Sequence, residues 1–196
     1  MTDYVVERRA ARSGMPAAWW GMMILIASEG TLFAAFIGTY FYLRFQAPHW
    51  PPDGVSEPAV ALPLIMVGVL LASSIPMQLG SIAARAGRLA ATRFYVFVAL
   101  VVQAGYFAYE AHDFANQVHR TAISVDAYTS IYYTLLGADH AHVFLGLLLD
   151  LWLLAKLARG LTTYRVHATQ AIAWYWHAVN LLTLIVIGTL LSAAVG

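Results

Sequence analysis

Long apolar stretches alternate along this chain with short polar punctuation. Five stretches stand out, at about 17–44, 59–84, 92–112, 129–157 and 171–194. Each is long enough to cross a hydrocarbon core of about 30 Å at about 1.5 Å per residue. None shows the period-two alternation of a membrane barrel strand, and a lone strand in lipid would leave its backbone groups unpaired. The pattern predicts an all-α polytopic membrane protein, a single five-helix bundle over residues 1–196.

Between the stretches lie turn signals. Gln46 to Pro58 contains Pro48, Pro51, Pro52, Asp53 and Gly54. Short basic turns surround Gly87 and Gly160, and Ala111 to Tyr128 reads as a long polar connection. Pro63 and Pro76 fall inside the second stretch and predict kinks. Arg8, Arg9 and Arg12 precede the first stretch, which is too long for a signal-peptide core and ends in no small-residue cleavage site. It is expected to remain as the first span.

Composition sharpens the picture. Hydrophobic residues make up 61% of the chain and charged residues 11%, too few charges to cover a water-soluble surface. A net charge of +1 with no basic patch points away from nucleic acid, and the lack of cysteine removes thiolate chemistry. The basic residues are asymmetric. Arg8, Arg9, Arg12, Arg85, Arg88, Arg93, Lys156, Arg159 and Arg165 fall on one side of the predicted topology, with Arg44 and Arg120 on the other. The positive-inside rule then puts the N-terminus in the cytoplasm and the C-terminus outside. Trp19, Trp20, Trp174 and Trp176 are expected at the inner interface, and Trp50, Tyr128, Tyr132 and Tyr133 at the outer one.

Ionisable residues inside spans carry the most information, because each costs a few kcal/mol or more unless paired or solvated. Glu29 lies near the middle of the first span beside the small residues Ala27, Ser28 and Gly30, which would admit another helix closely. On the fourth span Asp139, His142, Gly146 and Asp150 fall on one stripe that should face protein. His140 and His142 point about 200° apart and cannot chelate one metal ion as an i, i+4 pair could. His177, Asn180, Leu184 and Gly188 form a stripe on the fifth span suited to interhelical hydrogen bonds. Gln103 and Glu110 lie on the third, Glu110 near its outer, solvated end. Glu29 and His142 are expected to face one another as a buried acid–imidazole pair. There is no nucleophile triad or phosphate loop, and of seven histidines His49, His112, His119 and His167 fall in loops or at helix ends. A mid-membrane haem and copper site is not expected from this chain alone.

Several segments resemble subunit III of haem-copper terminal oxidases. Ser28-Glu29, then Tyr40-Phe41-Tyr42-Leu43-Arg44 and Trp50-Pro51-Pro52, resembles the opening of that family's five-helix core. Phe107 to His112 is similar to its Q-A-Y-E-Y-x-H stretch, with Glu110 on the glutamate. Ser130 to Gly137 is similar to S-x-F-Y-x-x-T-G. His142, Val143 and Gly146 match H-G-x-H-V-x-x-G, although Asp139 replaces its first histidine and His140 the glycine. Tyr175-Trp176-His177-Ala178-Val179-Asn180 is similar to Y-W-H-F-V-D, with Asn180 for the aspartate.

The resemblance implies a respiratory subunit of the bacterial cytoplasmic membrane with no redox centre of its own. Haem and copper would lie in a partner catalytic subunit I, with subunit II alongside. This subunit would sustain turnover and support proton uptake from the cytoplasm. Longer members hold lipid in a cleft formed with two further helices; such a cleft here would need another subunit to complete it, and bound phospholipid is expected. Related subunits also accompany quinol oxidases and nitric oxide reductases, so the electron donor stays open. A packing-only scaffold is one rival. An independent proton channel or transporter is another; an inverted repeat or discontinuous helices would favour it, and the sequence shows neither sign.

Overall fold

The computed structural model describes residues 17–53, 55, 60–120 and 126–194. Arg8, Arg9, Arg12, Gly54 and Pro58 lie outside the described residues, as do the side chains of His119 and Arg120. The helices are α1 (Ala17–Gln46), α2 (Ala61–Ala72), α3 (Ser74–Arg85), α4 (Leu89–Arg120), α5 (Ala127–Leu157) and α6 (Thr163–Leu191), the last closing on a 3₁₀ turn, Ser192–Ala194. With α2 and α3 taken as one span, five helices are long and apolar enough to cross a membrane.

The second span is interrupted at one residue, Ser73, three positions before Pro76, where a kink is expected. Pro76 offers no N–H to the Ala72 carbonyl and its ring crowds that group. The chain turns at Ser73, whose N–H and hydroxyl both donate to the Leu70 carbonyl, at 3.0 and 2.6 Å. Pro63 causes no such break. It stands in the first turn of α2, where its missing N–H would have had no helical partner.

Three helix ends depart from the apolar pattern. α4 continues through residues expected to form a loop, because polar does not mean irregular. Asn116 bonds His112 at 3.0 Å and Gln117 donates to Asp113 at 2.5 Å, both four residues apart on one face. α5 begins earlier than its apolar run, at a capping box: the Thr129 N–H donates to Asp126 Oδ1 at 2.7 Å and the Asp126 N–H to Thr129 Oγ1 at 3.3 Å. α6 also starts early, at Thr163, with Thr162 capping the Arg165 N–H. The turns before α4 and α6 use Gly87 at φ +71° and Gly160 at φ +98°, conformations that side-chain-bearing residues resist.

α6 is the hub, packing on α1, α2, α3 and α5, while α5 bridges α1 and α4. Of the helices, α1 touches only α5 and α6 among the described residues, and just Phe33 and Tyr40 of its thirty residues are buried. One apolar core lies around Met77, Val96, Val143, Leu153 and Trp176, another around Phe33, Tyr40, Leu135, Val186 and Leu190. Trp176 is thus a fully buried core residue rather than a member of an interfacial belt. Trp20 and Trp174 are exposed, and Trp174 meets Trp19 edge-on.

Two contacts fix which helix ends lie together. Arg44 at the end of α1 donates to Ser192 after α6 at 2.8 Å. Arg93 in the first turns of α4 donates twice to the Leu157 carbonyl, at 3.0 and 2.6 Å, capping α5.

Candidate functional site

Glu29 and His142 stand near the middle of α1 and α5, and Glu29 Oε2 lies 2.7 Å from His142 Nε2. The second imidazole nitrogen, Nδ1, is 2.6 Å from the Ala138 carbonyl. A carbonyl only accepts, so Nδ1 carries a hydrogen. Nε2 and a carboxylate oxygen are both acceptors until one is protonated. A 2.7 Å contact therefore holds one proton, as a carboxylic acid donating to imidazole or an imidazolium donating to carboxylate. Either form leaves the pair neutral overall, which suits an apolar surrounding.

The Phe33 ring packs edge-on against the imidazole at 5.1 Å, and the Tyr175 hydroxyl donates to the His142 carbonyl at 2.8 Å. The pair is not sealed. The side chains remain 25% (Glu29) and 15% (His142) exposed, beside a shallow crevice bordered by Leu25, Ile26, Ala178 and Leu182. Ala27 and Ser28 face outward, Ser28 bonding back to the Leu25 carbonyl, and nothing lies within 4 Å of a Cβ placed on Gly30. The small residues around Glu29 thus admit no helix of this chain.

The rest of α5 sorts by helical angle. Asp139 is buried and accepts from the Thr183 hydroxyl on α6 at 2.7 Å. His140 turns to the opposite side from His142, onto α4, where Phe107 and Phe114 flank it. Its Nδ1 is 2.6 Å from the Leu136 carbonyl, and its Nε2 is 4.0 Å from Glu110 Oε2. Glu110 does not stand at a helix end as its position suggested, since α4 runs on past it, and its side chain is only 12% exposed. Val143 is buried in the core, and Gly137 lies close to the Phe114 ring.

A turn further along, Gly146 gives its space to Trp176: a Cβ there would come within 2.6 Å of the indole. Asp150 is fully enclosed. With its amide nitrogen toward that carboxylate, Gln103 of α4 donates to Asp150 Oδ2 at 2.7 Å and to the Ala99 carbonyl at 3.1 Å. The Trp176 indole N–H is the next donor toward Asp150, although no hydrogen bond to it closes in this geometry.

His177 and Asn180 form a separate group at the α2–α3 break. Asn180 Nδ2 donates to the Leu70 carbonyl at 3.2 Å and to Ser74 Oγ at 2.7 Å. His177 lies 3.2 Å from both Ser74 Oγ and Gln78 Oε1. Leu184 and Gly188, assigned to the same stripe, face outward instead. Among the described residues no three His, Asp or Glu side chains converge as a metal ion would need.

The geometry brings together Glu29 with His142, Asp139 with Thr183, and His140 with Glu110, and keeps Asp150, His177 and Asn180 apart from them. Pattern reasoning did not find Phe33, Tyr175 or Thr183 as partners. Only Thr183, three residues after Asn180 on a helix turned inward, had a positional signal.

A sequence model of the family "Cytochrome c oxidase subunit III" matches residues 8–191. The chain is 32% identical over 164 residues to a probable cytochrome c oxidase subunit 3 of Nocardia farcinica (strain IFM 10152), spanning 82% of this chain and 80% of that one. It is 31% identical over 160 residues to the quinol oxidase subunit 3 of Bacillus subtilis (strain 168), spanning 80% and 78%. A cytochrome c oxidase subunit 3 of Thermostichus vulcanus is 25% identical over 167 residues, spanning 84% and 82%.

Proposed function

The chain belongs to the cytochrome c oxidase subunit III family, and from that premise we propose that it serves a haem-copper terminal oxidase as a supporting subunit whose Glu29–His142 pair fastens two helices and buffers one proton. The 2.7 Å contact carries the mechanistic part. It joins the least buried helix to the middle of α5, and its hydrogen-bonding pattern requires a proton between the two atoms.

In this reading the chain holds no redox centre. Haem and copper belong to catalytic subunit I, with subunit II beside it, in a bacterial cytoplasmic membrane, and phospholipid fills the exposed apolar faces. The N-terminus is cytoplasmic and the C-terminus outside. Support for the orientation comes from the turns and adjoining helix ends at one end of the bundle, which carry Arg85, Arg88, Arg93, Lys156, Arg159 and Arg165. Protons taken up from the cytoplasm for the catalytic subunit would be buffered at Glu29–His142. The relatives' names include both cytochrome c and quinol oxidases. Which of the two donors reduces the purified complex assigns the branch.

The test compares Glu29→Ala and Glu29→Gln in the complex purified from its own membranes. The amide of Glu29→Gln can donate to neutral His142 Nε2 and keep the fastening while holding no transferable proton. Glu29→Ala should shorten the oxidase's working life during turnover with haem content intact. Glu29→Gln should retain stability and lose the buffering. Unchanged turnover and stability in Glu29→Gln would favour a packing-only scaffold, and loss of haem in Glu29→Ala would contradict a supporting role.

A further inference from the structure

Two histidines leave α5 in opposite directions, and only one has been given a task. We propose that Glu110 and His140 form a second proton-holding site, which exchanges protons with water through a cavity where α4 ends and α5 begins. The inference stands on that geometry and does not depend on the oxidase reading.

The Leu136 carbonyl, 2.6 Å from Nδ1, fixes that nitrogen as the N–H-bearing one. Nε2 is buried with no hydrogen-bond partner, and Glu110 Oε2 stands 4.0 Å away. That separation is too long for a hydrogen bond and within reach of an ion pair or a single bridging water. Both side chains are enclosed, His140 at 11% exposure and Glu110 at 12%. A buried Nε2 facing a carboxylate across such a gap needs a proton on one of the two, a water between them, or both.

Water has a route to this place. Glu110 lies between His140 and a cavity of about 210 Å³, which is also lined by Asp113, Gln117 and Tyr132, with Leu62 and Leu136 among its apolar walls. That volume is far above the about 10–15 Å³ one water requires. The groups facing the pair come from several elements. From α4 they are Asp113 and Tyr106, and from α5 Asp139 and Tyr132, which lines the same cavity as Glu110 with Tyr133 edge-on against it; Tyr40 of α1 lies further off. α6 contributes the Thr183 hydroxyl through Asp139, and α2 only the apolar Leu62 and Pro63. Among the described side chains no Lys or Arg faces the pair. A proton on His140 is the positive charge that would balance Glu110.

The site takes a proton and water, and infrared difference spectroscopy of the purified membrane complex reads both. Spectra of the wild type minus Glu110→Gln, titrated from acid to alkaline, should show a carboxyl and an imidazole band that move as one unit. Both should exchange in D₂O far faster than core amides, at a rate that rapid mixing resolves. His140→Phe should leave the carboxyl band titrating alone, and Glu29→Gln should leave both bands in place. Leu62→Trp, which narrows the cavity from its exposed side, should slow the exchange without touching the pair. Independent titration of the two bands would overturn the proposal. So would exchange as slow as that of core amides, or an exchange rate unchanged in Leu62→Trp.

Discussion

Replacing Gly146 by Ala tests the packing that holds α5 to α6. An added Cβ would stand 2.6 Å from Trp176 Cζ2 and 2.9 Å from both Cε2 and Cη2. Carbon atoms rest at about 3.5–4.0 Å, so the ring must retreat by roughly 1 Å. It has nowhere to go: Trp176 is fully buried in the main core, with its indole nitrogen turned toward Asp150. Overpacking of this kind costs about 1–3 kcal/mol. Against it stands the better helix propensity of Ala over Gly, about 1 kcal/mol. With a clash this close, packing should win, for a net loss of up to about 2 kcal/mol. Gly188→Ala on α6 is the control, since nothing lies within 4 Å of a Cβ there. Denaturant unfolding in detergent should show Gly146→Ala destabilised and Gly188→Ala unchanged or slightly stabilised. The double variant Gly146→Ala/Trp176→Phe should lose less than the two single variants added together, because the smaller ring admits the methyl group. Equal stability of Gly146→Ala and Gly188→Ala, or strict additivity in the double variant, would refute the reasoning.

Thr183→Val removes the hydroxyl that donates to buried Asp139 and should destabilise the bundle by about 1–3 kcal/mol, the usual loss when a buried acceptor is orphaned; Thr183→Ser, which keeps the donor, should recover most of that in the same unfolding assay. Asp126→Ala removes the α5 capping box and should cost about 1 kcal/mol. Amide exchange should then speed up in the first turn of α5 and stay slow around His142.

Five membrane spans were legible because length and apolarity alone decide them. Their ends were not, because helices leave the membrane by rules that hydropathy does not carry. The Asp126–Thr129 box extends α5 backward, Thr162 does the same for α6, and the His112–Asn116 and Asp113–Gln117 pairs carry α4 onward. The divergence of His140 and His142 followed from helical angle, whereas their partners depended on which helix lies on each side. The expected Glu29–His142 contact is present, but Glu110 was misplaced because its surroundings include residues assigned to a loop. Trp176 looked interfacial for the same reason: an α6 starting near residue 171 would have put it close to the helix end.

The placement of the polar pairs follows from the unevenness of the bundle. Apolar burial between helices is a weak driving force in lipid, where an unpaired apolar face is already solvated by acyl chains. A helix that buries little against its neighbours therefore depends on specific contacts. α1 is that helix. Of the described helices it touches only α5 and α6, and it has just Phe33 and Tyr40 inside. The Arg44–Ser192 bond fastens its far end and the Glu29–His142 pair its middle. α6, by contrast, packs against four helices and bears Thr169, Asn180, Thr183 and Thr189 buried inside. Loss of Glu29 should accordingly free α1 from α5 well before it disturbs the α3–α4–α5–α6 body. The shortened working life proposed for Glu29→Ala would then arise from detachment of one helix rather than from unfolding of the subunit.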